Sequence, residues 1–191
     1  MQGKIRDREL YQRQFDKWQS EIKPTAVGYL GSTSGFTKDG DVVAVVRFES
    51  AEAAKANSDM PEQSQWWEEF SRAFDGDVTF IDCPEVDLIS GGGSDHAGFV
   101  QVMHGRAVDP DAMREAGRTM ESELTAMRPD VLGGIIGWHG DRQFIQTMYF
   151  TSQADARRAE AGMEGDPQVD EWGKMLDGDL TFIDITEPKY D

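Results

Sequence analysis

Three side chains combine acid–base or cationic chemistry with an apolar, strand-like setting: Arg47, His104 and Tyr149. Arg47 follows the apolar run Val42–Val46, where an inward-facing guanidinium could hold a phenolate, carboxylate or enolate oxygen. His104 and Tyr149 could move a proton. The alternatives are an arginine that reaches solvent and an ordinary hydrogen-bonded or exposed histidine. We take the three residues as predicted catalytic residues.

A dense run of polar residues, Asn57–Gln63, follows a short helical pattern in the first half of the chain. One interpretation is a loop at the mouth of a site, in which Asn57, Glu62 and Gln63 order the polar edge of a ligand. The other is helix-break chemistry, in which Asp59 caps a segment that a proline begins. The first interpretation predicts Asn57, Glu62 and Gln63 as ligand-binding residues.

Two tryptophans, Trp66 and Trp67, lie side by side in the next helical segment. Neighbouring residues on a helix do not share a face. We therefore expect one ring to pack on a sheet and the other to cover a neighbour or the entrance of a cavity. Both are predicted to contact a ligand.

Several kinds of site have no signature in the sequence. It contains no zinc-ligand spacing, phosphate-binding loop, nucleophile elbow or dinucleotide fingerprint, and its three histidines are few and scattered. Gly91-Gly92-Gly93 precedes no helix start, which is typical of a linker. The single cysteine, Cys83, excludes an intrachain disulfide and is either a small buried apolar residue or a reactive thiol. No metal and no cofactor are predicted.

The sequence repeats itself at an offset of 102 residues. The segment Asp75–Asp82 (DGDVTFID) returns as Asp177–Asp184 (DGDLTFID), and Leu30-Gly31 returns as Leu132-Gly133. Agreement without gaps over a whole unit indicates a duplicated domain, because solenoid repeats have periods of roughly 20–50 residues.

The repeat also separates fold-determining residues from asymmetric ones. Asp75-Gly76-Asp77 recurs, which favours a turn over a metal site. Arg47 aligns with Tyr149, and the two tryptophans align with Gln168-Val169. These positions break the symmetry, as expected of a site built in one copy.

Each copy predicts the same order of elements. In the second copy we expect strands over about 98–107, 132–139, 143–150 and 180–185, and helices over about 110–128, 153–162 and 167–176. In the first copy we expect strands over about 26–36, 42–48 and 78–83, and helices over about 7–21, 51–57 and 61–74. Its first strand begins at Met1 and lacks counterparts of Phe99–Val102, as a naturally short edge strand or a late start site would produce.

The order βαββαβ predicts an α+β fold of two tandem ferredoxin-like units, each an antiparallel sheet with both helices on one face. Apolar residues occupy both the odd and the even positions of the strands, so the second face of each sheet should be buried too. We therefore predict that the two sheets pack together as an intramolecular α/β barrel. The predicted domains are residues 1–87 and 98–191, with a glycine-rich linker over 88–97.

The composition disfavours several classes of binding partner. The net charge of −17 disfavours nucleic acid and anionic membrane surfaces, which bind through Lys and Arg. No apolar run approaches the roughly 20 residues that span a bilayer, and Met1–Leu10 lacks the apolar core of a signal peptide. A cytoplasmic protein is expected, either a monomer with an internal pseudo-dimer or a homodimer of barrels.

The stretch Arg47–Asn57 (RFESAEAAKAN), followed by Pro61 and by Trp66-Trp67, resembles the antibiotic-biosynthesis-monooxygenase-like proteins of the dimeric α/β barrel superfamily. The shared pattern is a strand that ends in an aromatic residue, a serine cap, a Glu-Ala pair on the helix and a proline-led segment. A weaker version lies at Tyr149–Arg158. Where members of that superfamily build a barrel from two chains, this chain would build one from its two halves.

The resemblance implies a small-molecule-binding barrel, and a cofactor-independent monooxygenase-like enzyme that acts on a partly aromatic substrate. Haem-handling relatives place an axial histidine where this chain has Asn57, and the second copy has Ala159 there. Haem ligation by that route is therefore not predicted. The alternative is a non-catalytic ligand-binding, stress-associated or interaction barrel.

Overall fold

The computed structural model describes residues 1–163, 165–185 and 187–191, and the side chains of all of these except residues 122, 123, 125 and 168. The chain forms two compact units. The first comprises residues 1–81 together with Lys189–Asp191, and the second comprises residues 82–188. The fold is α+β, with one antiparallel sheet in each unit.

The first unit contains a sheet covered on one face by helices. Its strands are β1 (Gln2–Lys4), β2 (Tyr29–Phe36), β3 (Asp41–Phe48) and β9 (Lys189–Tyr190), in the order β1-β3-β2-β9. Its helices are α1 (Arg8–Lys17), α2 (Ala51–Ser58) and α3 (Pro61–Phe70). A π-helical turn, Trp18–Ile22, and a 3-10 turn, Lys23–Thr25, extend α1, and a 3-10 turn, Ser71–Ala73, extends α3.

Local chemistry explains where these helices begin. The Asp7 side chain accepts from the amide of Leu10 at the start of α1, and the Ser50 hydroxyl accepts from the amide of Ala53 at the start of α2. Pro61 opens α3, where its missing N–H costs no hydrogen bond. The core between these helices and the sheet is mostly aromatic: Tyr11, Ile22, Val42, Trp66, Phe70, Ala73 and Phe74.

The second unit repeats this plan with longer strands. Its strands are β4 (Glu85–Ile89), β5 (Phe99–Arg106), β6 (Val131–His139), β7 (Gln143–Phe150) and β8 (Thr181–Ile185), in the order β4-β6-β7-β5-β8. Its helices are α4 (Pro110–Met127), α5 (Gln153–Gly162) and α6 (Pro167–Gly173). Strands β5 to β8 with their helices have the ferredoxin-like order, and the helix-side core includes Phe99, Met103, Met113, Trp138, Phe144, Met148 and Phe150.

One predicted strand is nearly absent. In the segment 78–83 only Thr79 pairs, through two backbone hydrogen bonds to Gln2 of 2.9 and 2.8 Å. The equivalent pair in the second unit is Thr181 with His104, and there pairing continues to Ile185 opposite Val100. Because β1 is only three residues long, the segment after Thr79 has no partner along which to continue.

Two short strands lie outside the predicted pattern: β4 follows the first sequence copy but pairs in the second unit, and β9 follows the second copy but pairs in the first unit. Strand β4 pairs with β6, with Leu88 opposite Ile135. Strand β9 pairs with β2, with Tyr190 opposite Thr33. Tyr190 lies 102 positions after Leu88, and Thr33 lies 102 positions before Ile135. We call β4 and β9 the exchanged strands.

The exchanged strands place the division between units at 81/82, whereas the sequence predicted a first domain that ends at residue 87. They also occupy part of the predicted linker, since β4 extends to Ile89. Each sheet is open, with edge strands at both ends in the part of the chain that the structure describes. The packing of the two sheets into a barrel stays a prediction.

Candidate functional site

The second sheet has one face that its own helices do not cover. Met103 and Met148 pack with Ala156 of α5, so the residues that alternate with them along β5 and β7 point to the opposite side. We call this opposite side the helix-free face. It is formed by Val100, Val102, His104, Ile145, Thr147, Tyr149 and Ile185. Five of these are almost completely buried: Val100, Val102, Thr147, Tyr149 and Ile185.

His104 brings a titratable group to this apolar face. It lies on β5 opposite Ile145 of β7 and Thr181 of β8, and it is half-buried. Burial lowers the pKa of His104 below its ordinary value of 6.5, and the nearby His139 lowers this pKa further. The imidazole is therefore neutral at pH 7, the form that accepts a proton.

Tyr149 lies deeper in the same face and is only 1% exposed. Its ring covers the backbone of Gly93, where a Cβ atom would lie 3.0 Å from Cζ and 3.1 Å from the hydroxyl oxygen. The carbonyl of Gly92 similarly lies 2.0 Å from the position a Cβ would take on Gly133. The predicted linker glycines thus form a turn that packs tightly on β6 and β7.

Arg47 lies in the first unit. It alternates with Phe48, whose ring contacts Tyr29 on the helix side, so Arg47 points to the side of the first sheet without helices. Its Nη2 donates to the carbonyl of Leu30 at 3.3 Å, and the side chain is partly exposed. Of the three predicted catalytic residues, His104 and Tyr149 share one face of one sheet, and Arg47 lies in the other unit.

The predicted ligand-binding residues lie on the helix side of the first sheet, the opposite side from Arg47. Trp66 is buried, its Nε1 donates to the carbonyl of Gln14 at 2.8 Å, and its ring stacks on Phe70 at 4.6 Å. Gln63 accepts from Trp18 Nε1 at 3.0 Å. These contacts make Trp66 and Gln63 parts of the aromatic core.

The remaining three predicted ligand-binding residues differ in exposure. Trp67 is half-buried against Phe74 and Phe80, and Glu62 is exposed. Asn57 is only 8% exposed, and its Oδ1 accepts no hydrogen bond among the described residues. A buried acceptor usually has a partner, so Asn57 keeps a capacity to bind a donor.

One polar cluster escaped the sequence analysis. The Asp191 carboxylate, with a side chain only 3% exposed, accepts from Tyr29 Oη at 2.8 Å and from Lys23 Nζ. Asp191 lies 162 positions from Tyr29, so no local spacing signals the contact. The cluster fixes β9 against β2.

A second missed cluster fixes the other exchanged strand. The Arg114 guanidinium of α4 donates to Glu85 and, at 3.0 Å, to Asp87 of β4. It also lies 4.6 Å from the centre of the Trp138 ring, whose Nε1 donates to Asp87 at 2.7 Å. These contacts hold β4 against the helix side of the second unit.

The segments Asp75–Asp82 and Asp177–Asp184, which recur at the 102-residue offset, each contain a turn glycine. Gly76 and Gly178 have φ of 84° and 94°, as the predicted turns require. Asp184 accepts from Gln101 at 2.9 Å and from Arg157. Burial alone would raise the pKa of Asp184, but these contacts lower it.

Two kinds of feature were not found within the described residues. No group of three or more His, Cys, Asp or Glu is placed to hold a metal ion. None of the helices combines the length and the apolar character that crossing a membrane requires.

No protein-family model and no curated protein matches the sequence. The structure, in contrast, is similar to solved structures over nearly the whole chain. Two are described as "putative monooxygenase". The protein from Lactobacillus acidophilus has a TM-score of 0.72 and 14% identity, over 96% of this chain and 90% of the other. The protein from Fusobacterium nucleatum has a TM-score of 0.73 and 9% identity, over 100% and 91%.

A third solved structure, of an anthrone oxidase-like protein, has a TM-score of 0.60 and 12% identity, over 99% of this chain and 90% of the other. At these identities the similarity shows a common fold. The resemblance to monooxygenase-like proteins of ferredoxin-like fold is thus confirmed at the level of the fold.

Proposed function

We propose that this protein binds a small, partly aromatic molecule at the helix-free face of the second sheet and oxidises it with dioxygen, without a cofactor. The observation that carries this proposal is His104, a mostly neutral imidazole at pH 7 on a largely apolar face. A base in apolar surroundings is suited to removing a proton from a weak carbon acid and leaving a reactive substrate anion. The common fold with monooxygenase-like proteins supports the reaction class by analogy only.

The reaction balances without a bound redox group. The imidazole of His104 takes a proton from an activated CH₂ group of the substrate. The carbanion transfers one electron to dioxygen, and the resulting carbon radical and superoxide combine to form a C–O bond and a peroxide anion. That anion regains a proton and loses water as the carbonyl forms, so R₂CH₂ + O₂ gives R₂C=O + H₂O. Tyr149 would donate to the substrate oxygen, and Arg47 would stabilise negative charge on it.

We also propose that the two units arose by duplication and form one barrel, with the helix-free faces of both sheets inside it. The 102-residue repeat supports this, and so does the matching register of the two exchanged strands. In that arrangement Arg47 would face the same interior as His104.

The test is oxygen uptake with anthrone, a substrate that the third similar structure suggests. We expect the protein to accelerate uptake, and His104→Gln to lower kcat/KM by roughly 100-fold or more, the usual contribution of a general base. His96→Gln is the matched control, because His96 is exposed in a loop, and it should keep wild-type activity. Equal activity in the wild type and His104→Gln would refute the assignment of the base.

The complete burial of Val100, Val102 and Thr147 favours a second candidate, a barrel with a filled interior and no catalysis. A filled interior leaves no room for anthrone, so calorimetry without oxygen should detect no binding and oxygen uptake should stay at the uncatalysed rate. Saturable binding together with accelerated oxygen uptake would instead support the enzyme.

A further inference from the structure

The helix-side cores of the two units differ sharply in side-chain volume at equivalent positions. In the first unit, α1 and its π-helical extension carry aromatic residues, and in the second unit the positions 102 residues later carry smaller ones. The replacements are Tyr11 by Met113, Phe15 by Gly117 and Trp18 by Met120. Trp66 of α3 is likewise replaced, by a glutamine.

In the first unit these aromatic rings fill the space between the helices. Trp66 stacks on Phe70 at 4.6 Å, Tyr11 lies 5.1 Å from Phe70, and Trp18 lies 6.4 Å from Trp66. The first unit therefore shows what a filled core looks like in this fold.

In the second unit a pocket of about 190 Å³ lies between α4 and α6, beside Met120. It is lined by Met120, Pro167, Glu171, Trp172 and Met175. Gly117, one turn from Met120, has nothing within 4 Å of the position a Cβ would take. The pocket thus lies where the duplicated partner has a tryptophan.

We propose that this pocket binds a small planar aromatic molecule that carries a cationic group. The pocket is open to solvent on one side, and its volume of about 190 Å³ suits one or two fused rings. Two methionine thioethers and the Trp172 ring are favourable contacts for an aromatic face. A cation near the ring gains from the indole face as well.

The charge preference rests on Glu171 at the rim. Its carboxylate is 68% exposed and pairs with Lys174, the residue three positions on, which leaves acceptor capacity for a bound cation. Because the pair is exposed and screened, the gain from a ligand cation is a few-fold in affinity. The net charge of −17 acts in the same direction.

This pocket is separate from the site proposed for oxidation. It lies on the helix side of the second unit, whereas His104 and Tyr149 lie on the helix-free face of its sheet. Binding here is therefore independent of whether the protein consumes oxygen.

The experiment is a titration of the ¹³C-labelled methionine methyl groups of the full chain with indole, tryptamine and indole-3-acetate. These three probes share one ring system and differ in charge. We expect ring-current shifts at Met120 and Met175 with indole and tryptamine, and unchanged methyl signals at Met148. Tryptamine should bind about three-fold more tightly than indole, and indole-3-acetate more weakly than indole.

Two variants make the test specific. Met120→Trp restores the residue of the first unit and should abolish binding, with Met120→Phe as a smaller filler if the tryptophan variant does not fold. Glu171→Gln keeps the pocket and should remove the preference for tryptamine while indole still binds. The absence of shifts at Met120 and Met175, or equal shifts at Met175 in the filled variants, would overturn the pocket. Equal affinities for tryptamine and indole-3-acetate would overturn the role of Glu171.

Discussion

A single histidine carries the proposed chemistry, and its surroundings set its protonation state. His104 is half-buried on an apolar strand face, with His139 near enough to disfavour a second positive charge. Both effects lower the pKa of His104 below 6.5, so most of the imidazole is neutral at pH 7. The lowered pKa also affects the stability of the fold.

The effect on stability has a definite sign. Because the folded pKa of His104 lies below its unfolded value, the unfolded chain binds more protons as the pH falls below about 6.5. We expect the contribution of His104 to the free energy of unfolding to be complete above that pH and to decrease toward pH 5. NMR titration of the imidazole Cε1–H should give a midpoint below 6.5.

The contribution of His139 can be isolated. His139→Gln removes the neighbouring charge and should raise the midpoint of His104 toward its ordinary value. An unchanged midpoint in this variant would show that His139 does not contribute to the lowered pKa, and a wild-type midpoint above 6.5 would contradict the described environment.

At the scale of elements, the exchanged strands explain why glycine occupies positions 31 and 133. The backbone of Asp191, which follows β9, lies close to Gly31, and the backbone of Ile89 and Gly92, at and after the end of β4, lies close to Gly133. Each lies at a bulge, between Tyr29 and Gly31 in β2 and between Val131 and Gly133 in β6. A close backbone approach at these points leaves no room for a Cβ atom.

Gly133→Ala tests this approach. The new Cβ would lie 2.0 Å from the carbonyl oxygen of Gly92, a rigid backbone atom, so we expect a loss of about 2–4 kcal/mol in the free energy of unfolding. The matched control is Gly117→Ala on α4, which meets nothing within 4 Å and should stabilise the protein by roughly 0.5–1 kcal/mol. Urea unfolding of both variants provides the comparison, and a neutral Gly133→Ala would contradict the tight turn.

The elements also show what the sequence could predict. Periodicity and the repeat placed most helices and strands, because capping residues such as Asp109 and Ser152 act locally. The strand expected over 78–83 is wrong beyond Thr79, since a strand exists only where a partner runs beside it. The exchanged strands were missed because they are short and pair with distant segments.

The residues of the candidate site could likewise be predicted only in part. Alternation along a strand is readable, and it explains why His104 and Tyr149 share a face. The i,i+4 spacing relates Trp66 to Phe70, but the hydrogen bond of Trp66 to the carbonyl of Gln14 joins residues 52 positions apart, which no local spacing signals. The Tyr29–Asp191 contact spans most of the chain and is invisible to any local pattern.

At the scale of the whole molecule, the chain leaves the first unit, forms the second, and returns to the first with its last three residues. The first unit contains β9, whose preceding neighbour along the chain, β8, belongs to the second unit. The Asp191 side chain at the end of β9 is almost fully buried and pairs with Lys23 and Tyr29. Unfolding of the second unit should therefore weaken the attachment of β9 in the first.

We expect a single cooperative unfolding transition as a result. Asp191→Asn removes a buried carboxylate that accepts from Tyr29 and from the partly exposed Lys23. We expect the free energy of unfolding to fall by about 2 kcal/mol, and this loss should shift the whole transition. Coincident curves from near-ultraviolet circular dichroism and from amide exchange in β5 and β3 would agree with this coupling. Two separate transitions, with only the first unit affected by Asp191→Asn, would contradict it.

The most direct test of the proposed site is a titration of the imidazole signals with anthrone in the absence of oxygen. Without oxygen the substrate cannot turn over, so its position can be read from the residues it perturbs. We expect the signal of His104 to shift in a saturable way, with no change at the exposed His96. A saturable shift elsewhere with His104 unchanged, or no binding at all, would contradict the assignment of the helix-free face as the substrate site.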